Sequence, residues 1–122
     1  MAKLTLVINE LRNQQGEVCI ALFSDKEGFP EDDKQAVCNN CFAISKRPMS
    51  TIFDVPYGRY SVSVLHDENK DGELNTGMMG IPKEGIGFSN NPRIIKGTPS
   101  FKTASFDFTE DNQQVEVTVK YF

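Results

Sequence analysis

The sequence predicts an all-β fold, an antiparallel sandwich of about seven short strands. Three observations carry this. Several runs alternate apolar and polar residues with period two. Residues of strand type dominate the apolar runs, and glycine and proline separate one run from the next. No stretch sustains a helical period.

The elements follow in chain order. Residues 4–8 alternate Leu4, Leu6 and Ile8 with Thr5 and Val7, which is a strand, and Asn-Gln-Gln-Gly closes it as a turn. Residues 18–23 (VCIALF) are continuously apolar and short, the pattern of a strand covered on both faces. A loop broken by Gly28 and Pro30 comes next. Beyond it the pattern is poor, and either a short strand over 41–46 or a helical turn over 32–38 fits. Residues 50–55 (STIFDV) read as a strand, and Pro56-Tyr57-Gly58 as a turn. Residues 59–65 (RYSVSVL) place Tyr60, Val62 and Val64 on one face and Ser61 and Ser63 on the other, the clearest half-buried strand in the chain. A long Gly- and Pro-rich stretch occupies 67–99. Residues 104–108 (ASFDF) and 115–121 (VEVTVKY) alternate again.

A chain of 122 residues fits one domain, residues 1–122, large enough to bury a core without staples. The net charge is -4 with interspersed signs and no basic stripe, so nucleic acid is not an expected partner. No apolar run approaches the ~20 residues that span a bilayer. The start MAKLTLVIN enters a strand at once and lacks the pattern of a secretory signal. Two readings stay open: a cytoplasmic protein, or an exported one whose leader has been removed.

The three cysteines are Cys19, Cys38 and Cys41. An odd count argues against a full disulfide framework. Cys19 is expected to be a buried small apolar residue. Cys38 and Cys41 are either a local disulfide or two free thiols. A zinc site at this pair lacks further ligands, because the chain has a single histidine.

The candidate site is HDENKDGELN, residues 66–75. Counting Asp67 as position 1, Asn69 stands at 3, Asp71 at 5, Gly72 at 6, Glu73 at 7 and Asn75 at 9, which is the D-x-[DN]-x-[DN]-G opening of a calcium loop. Calcium accepts six to eight oxygens, and alternate residues of a tightly curling loop turn theirs inward. The glycine permits the bend, and Glu73 at position 7 offers its carbonyl. Position 12 is Met78, and a strand precedes the loop, so this is not an EF-hand. A further carboxylate has to come from elsewhere: Glu84 is the nearest candidate, Asp54 a weaker one. The implied calcium affinity is weak, roughly 10⁻⁴–10⁻³ M. The competing reading is a polar turn whose Asp, Asn and Gly residues satisfy its own backbone.

Beyond single residues, VLHDENKDGELNTGMMGIPKEGIGFSNNP resembles the signature of the bacterial family called domain of unknown function 2141. The family's early G-x-[VI]-x-[VI]-A-L-[FY] run is matched by residues 16–23, its G-x-Y-x-V-x-V-x-H-D strand by 58–67, and its G-I-P-K-E-x-x-G-F-S-N-N segment by 80–91. The Gly-x-Tyr-x-Val strand is also similar to that of transthyretin-like and carboxypeptidase-regulatory-like sandwiches. The resemblance implies an immunoglobulin-like or transthyretin-like sandwich and an exported, periplasmic or extracellular, protein. The family tends to carry Asp where this chain has Asn75. The resemblance implies no catalytic residues.

The functional expectation is therefore a non-enzymatic module with a calcium-binding loop, whose ligand is a protein or a carbohydrate. The long loop carries this reading, because loops of more than ~15 residues in a compact domain are usually functional or disordered. Met78 and Met79 within it suit an adaptable contact surface. The enzymatic alternative is a hydrolase using His66 with a nearby carboxylate, and Ser89 lies in no nucleophile elbow. His66 is expected instead to be a strand-end imidazole bonded to the loop that it precedes. Ser89, Asn90 and Asn91 are expected to hold their loop by bonds from side chain to backbone. A third class is a structural accessory domain.

Overall fold

Alternation in the sequence becomes alternation in burial along the first strand, where Ala2, Leu4, Leu6 and Ile8 are buried and Lys3 points to solvent. The computed structural model describes residues 2–30, 33–67, 85–92 and 99–121. Among these residues the elements are β1 (Ala2–Asn9), β2 (Glu17–Phe23), β3 (Cys38–Ala43), β4 (Met49–Val55), β5 (Gly58–Asp67), β6 (Gly85–Phe88), α1 (Phe101–Ala104), β7 (Phe106–Phe108) and β8 (Gln113–Thr118). The poorly patterned region resolves into a 3₁₀ turn over Asp33–Gln35 followed by β3.

The fold is all-β, in two sheets. One has the order β4-β1-β8 and the other β3-β2-β5-β6, with β7 paired to the start of β5. Among the described residues eight strands thus stand against the roughly seven expected. The additional one is β6, inside the stretch read as loop, where Gly85 and Gly87 mask a strand pattern. The 104–108 segment is not one strand: it splits into the helical turn α1, capped by the Ser100 hydroxyl accepting from the Thr103 N–H, and the short β7.

The named pairings are antiparallel except one. β1 runs parallel to β8, with Leu6 opposite Val115 and Ile8 opposite Val117. Parallel neighbours need a long crossover, and nearly the whole chain separates these two strands. The sheets bury a shared core drawn from Leu4, Leu6 and Ile8 of β1, Val18 and Ile20 of β2, and Val62 of β5. Each buried Leu or Ile side chain contributes roughly 1.5–3 kcal/mol from area removed from water.

A second cluster, Ile86, Phe88 and Ala104 with Phe29 and Leu65, covers the other face of the larger sheet. Two serines of β5 clip its cover in place. Ser61 donates to the Phe101 carbonyl at 2.8 Å and Ser63 to the Pro30 carbonyl at 3.2 Å. β2 is consequently covered on both faces, as its apolar run predicts: Phe23 is fully buried and meets the Phe29 ring edge-on at 5.2 Å.

After β8 the chain leaves the smaller sheet and crosses to the larger one. The Ile86 N–H donates to the Lys120 carbonyl at 3.0 Å, and the Lys120 N–H to the Ile86 carbonyl at 2.8 Å. The glycines of β6 permit this approach. A Cβ on Gly85 would stand 2.6 Å from Val119 Cγ1, and one on Gly87 2.8 Å from Val117 Cγ1 and 2.9 Å from the Thr118 carbonyl oxygen. Those distances lie inside van der Waals contact, so the crossing requires residues without side chains.

Candidate metal site at the end of strand β5

Strand β5 ends in His66 and Asp67, both fully buried. Successive residues of a strand face opposite ways, so the two side chains serve different environments. His66 belongs to the face of Val62 and Val64, between the sheets. Asp67 belongs to the face of Leu65, and its partner in register is Glu17 on β2.

His66 has both ring nitrogens engaged. Nε2 lies 2.8 Å from the Gln15 carbonyl oxygen and must donate to it, because a carbonyl only accepts. Nδ1 lies 2.7 Å from the Tyr121 hydroxyl. That hydroxyl accepts from the Arg12 N–H at 3.1 Å and shares its other hydrogen bond with Nδ1. The Arg12 guanidinium covers the Tyr121 ring at 4.4 Å. Among the described residues the partners of His66 are therefore Gln15 of the β1–β2 connection and Tyr121, where the expectation was the loop that it precedes, which lies outside the described residues. Tyr121 was the residue without a local signal, since 55 positions separate it from His66.

Asp67 opens the calcium-type loop as a 0 % exposed carboxylate. Of the other predicted metal residues, Asn69, Asp71, Glu73, Asn75 and Glu84 lie outside the described residues, as do Met78 and Met79. Asp54 sits on β4 in the other sheet, exposed and 3.3 Å from the Lys3 ammonium. Glu17, which no motif marks, is the acid that the β2–β5 register sets directly opposite Asp67.

The cysteine pairing differs from expectation. Cys19 joins Cys41 in a disulfide and Cys38 is the free thiol. The β2–β3 register decides this, because Cys19 and Cys41 face each other directly across the ladder. Cys38 and Cys41 are three residues apart on one strand and therefore face opposite ways. Cys38 packs instead against the shared core.

Ser89, Asn90 and Asn91 hold the chain as expected. The buried Ser89 hydroxyl accepts from the Val62 N–H at 2.9 Å and donates to the Ala104 carbonyl. Asn90 and Asn91 adopt the left-handed conformation, with φ of 68° and 46°. Asn90 donates to the Thr103 carbonyl at 3.2 Å, and the Asn91 side-chain oxygen accepts from the Thr118 N–H at 2.8 Å.

Two sheets around a shared core define an all-β protein, and a buried carboxylate ends the strand that precedes the D-x-N-x-D-G sequence. The chain belongs to the bacterial family described as "Uncharacterized protein conserved in bacteria (DUF2141)", whose model matches residues 6–116. No curated protein and no solved structure matches it. Asp67 and His66 fall inside the matched stretch; Tyr121 falls beyond it.

Proposed function

We propose that this protein is an exported, non-enzymatic interaction module of immunoglobulin-like or transthyretin-like architecture, whose loop after β5 binds calcium. The carrying observation is Asp67, a fully buried carboxylate at the first ligand position of a D-x-N-x-D-G sequence. Burial fixes this carboxylate at the head of the sequence motif, where it already has a partner within the fold, and a calcium ion shared with Asn69, Asp71, Asn75 and the Glu73 carbonyl takes it as the first ligand. Glu84 is the further carboxylate of the proposed set. The ion stiffens the loop, and the stiffened loop presents the surface that a protein or carbohydrate partner meets.

Three observations support the rest of the reading. His66 spends both nitrogens on internal hydrogen bonds, and the neighbouring Asp67 faces away from it. Ser89 is bonded at its hydroxyl on both sides. The Cys19–Cys41 disulfide suits an oxidising compartment.

A thermal melt with calcium tests the proposal. An ion that binds the native state raises the melting temperature progressively with concentration. At millimolar calcium the wild type gains thermal stability, while Asp67→Asn and Asp71→Asn lose the gain. A wild-type melt insensitive to millimolar calcium sinks the calcium reading. The same preparation, denatured without reductant, exposes one thiol per chain if it folded in an oxidising compartment, and three if it did not.

A further inference from the structure

The outer face of β2 and β3 carries a second group of metal-ligating side chains, whose Glu17 stands opposite Asp67 in register. Glu17 and Cys19 lie two residues apart on one face of β2, and Cys41 faces Cys19 from β3. One carboxylate oxygen and the two sulfurs all lie within 4.8 Å of one another. Cys41 is exposed and Glu17 half-buried, which leaves an entry path from solvent. Ala43, directly opposite Glu17, carries only a methyl side chain.

We propose that reduction of the Cys19–Cys41 disulfide converts this patch into a three-donor site for a Zn²⁺-class ion, held by Glu17, Cys19 and Cys41. In the disulfide the sulfurs are neutral and poor ligands; the thiolate is the ligand form. A small-molecule or protein dithiol supplies two electrons and two protons. Its two S–H groups become a disulfide as the Cys19–Cys41 bond breaks to two thiols. The ion then displaces one proton from each thiol, and both protons pass to solvent. Two thiolates and a carboxylate suit the borderline-soft, tetrahedral preference of zinc, with the fourth position open to water. The antiparallel ladder presets the donors, because Cys19 and Cys41 stay opposite each other while the β2–β3 register lasts. Cys38, on the other face, takes no part.

Cobalt(II) is the probe, added without oxygen to the full chain before and after reduction. The reduced protein develops a near-ultraviolet thiolate-to-cobalt band and visible bands of tetrahedral intensity, which zinc abolishes by displacement. The oxidised protein develops neither. Cys19→Ser and Cys41→Ser lose the band, Cys38→Ser keeps it, and Glu17→Gln binds about tenfold or more weakly, a scale that even outer-shell changes reach. The proposal is overturned if reduced protein with three titratable thiols shows no band, or if Cys38→Ser removes it. It is equally overturned if Glu17→Gln binds as well as wild type, or if reduction abolishes the strand signature in circular dichroism, because the site depends on the ladder. Asp67→Asn removes the calcium response and leaves the cobalt band, so the two readings fail separately.

Discussion

The Tyr121 hydroxyl meets His66 Nδ1 at 2.7 Å, tying the last described residue of the chain to the end of the strand from which the acidic loop departs. The contact closes a chain of polar groups running from the Arg12 N–H through Tyr121 and His66 to the Gln15 carbonyl. It completes the hydrogen bonding of a fully buried imidazole: among the described residues no buried side-chain nitrogen or oxygen lacks a partner.

Removing that hydroxyl is expected to destabilise the fold. Tyr121→Phe keeps the ring beneath Arg12 but strands Nδ1 of His66, at a cost of about 1–3 kcal/mol. Urea denaturation measures this as a lower midpoint with an unchanged slope. The double variant with His66→Phe is expected to cost less than the sum of its parts, because the two side chains share one hydrogen bond. Strict additivity counts against the network.

Ser89 tests how the second core is anchored. Ser89→Ala leaves the buried Val62 N–H and the Ala104 carbonyl each short of a partner. The expected loss is about 1–3 kcal/mol in denaturant unfolding. Hydrogen exchange at the Val62 and Ala104 amides should quicken more than at β1, since the bonds lost are local.

Gly87 tests the crossing of the chain end over β6. The Cβ of Gly87→Ala would meet the Thr118 carbonyl, a backbone atom that cannot rotate aside. About 1–3 kcal/mol of overpacking is expected, read as a lower melting temperature. The variant should also broaden the Tyr121 and His66 ring signals in NMR, because both depend on the displaced segment. A neutral Gly87→Ala would contradict the packing described.

Tyr60 contributes to the alkaline dependence of stability. Burial, and next the nearby Cys38, push its phenol above the usual tyrosine value, and its hydroxyl donates to the Pro56 carbonyl at 2.6 Å. The folded state therefore keeps a proton that the unfolded chain releases above pH ~10. The stability from this difference is fully present below pH ~10 and is lost as pH climbs through the raised folded value. Tyr60→Phe is expected to lose about 1 kcal/mol at neutral pH from the missing bond, and to show a shallower decline above pH ~10. Melts from pH 7 to 11 measure both.

The strands that carry a period of two were legible without coordinates: β1 and β5 follow their apolar alternation, and β2 is covered on both faces, as its unbroken apolar run requires. Asn90 and Asn91 were legible because their short amide side chains readily bond to nearby backbone; the left-handed conformation they adopt was not. β6 was not, since in Gly-Ile-Gly-Phe the glycines interrupt the apolar pattern, and their purpose appears only when residues 117–121 pass over them.

The amino-acid order by itself determined the all-β class, because it rests on neighbours a few residues apart. Tertiary structure alone decided that Cys19 pairs with Cys41, that Glu17 faces Asp67, and that Tyr121 completes His66. These relationships depend on which strands lie side by side and in which register. A shift of one residue would send every side chain of a strand to its opposite face, so no local pattern encodes them.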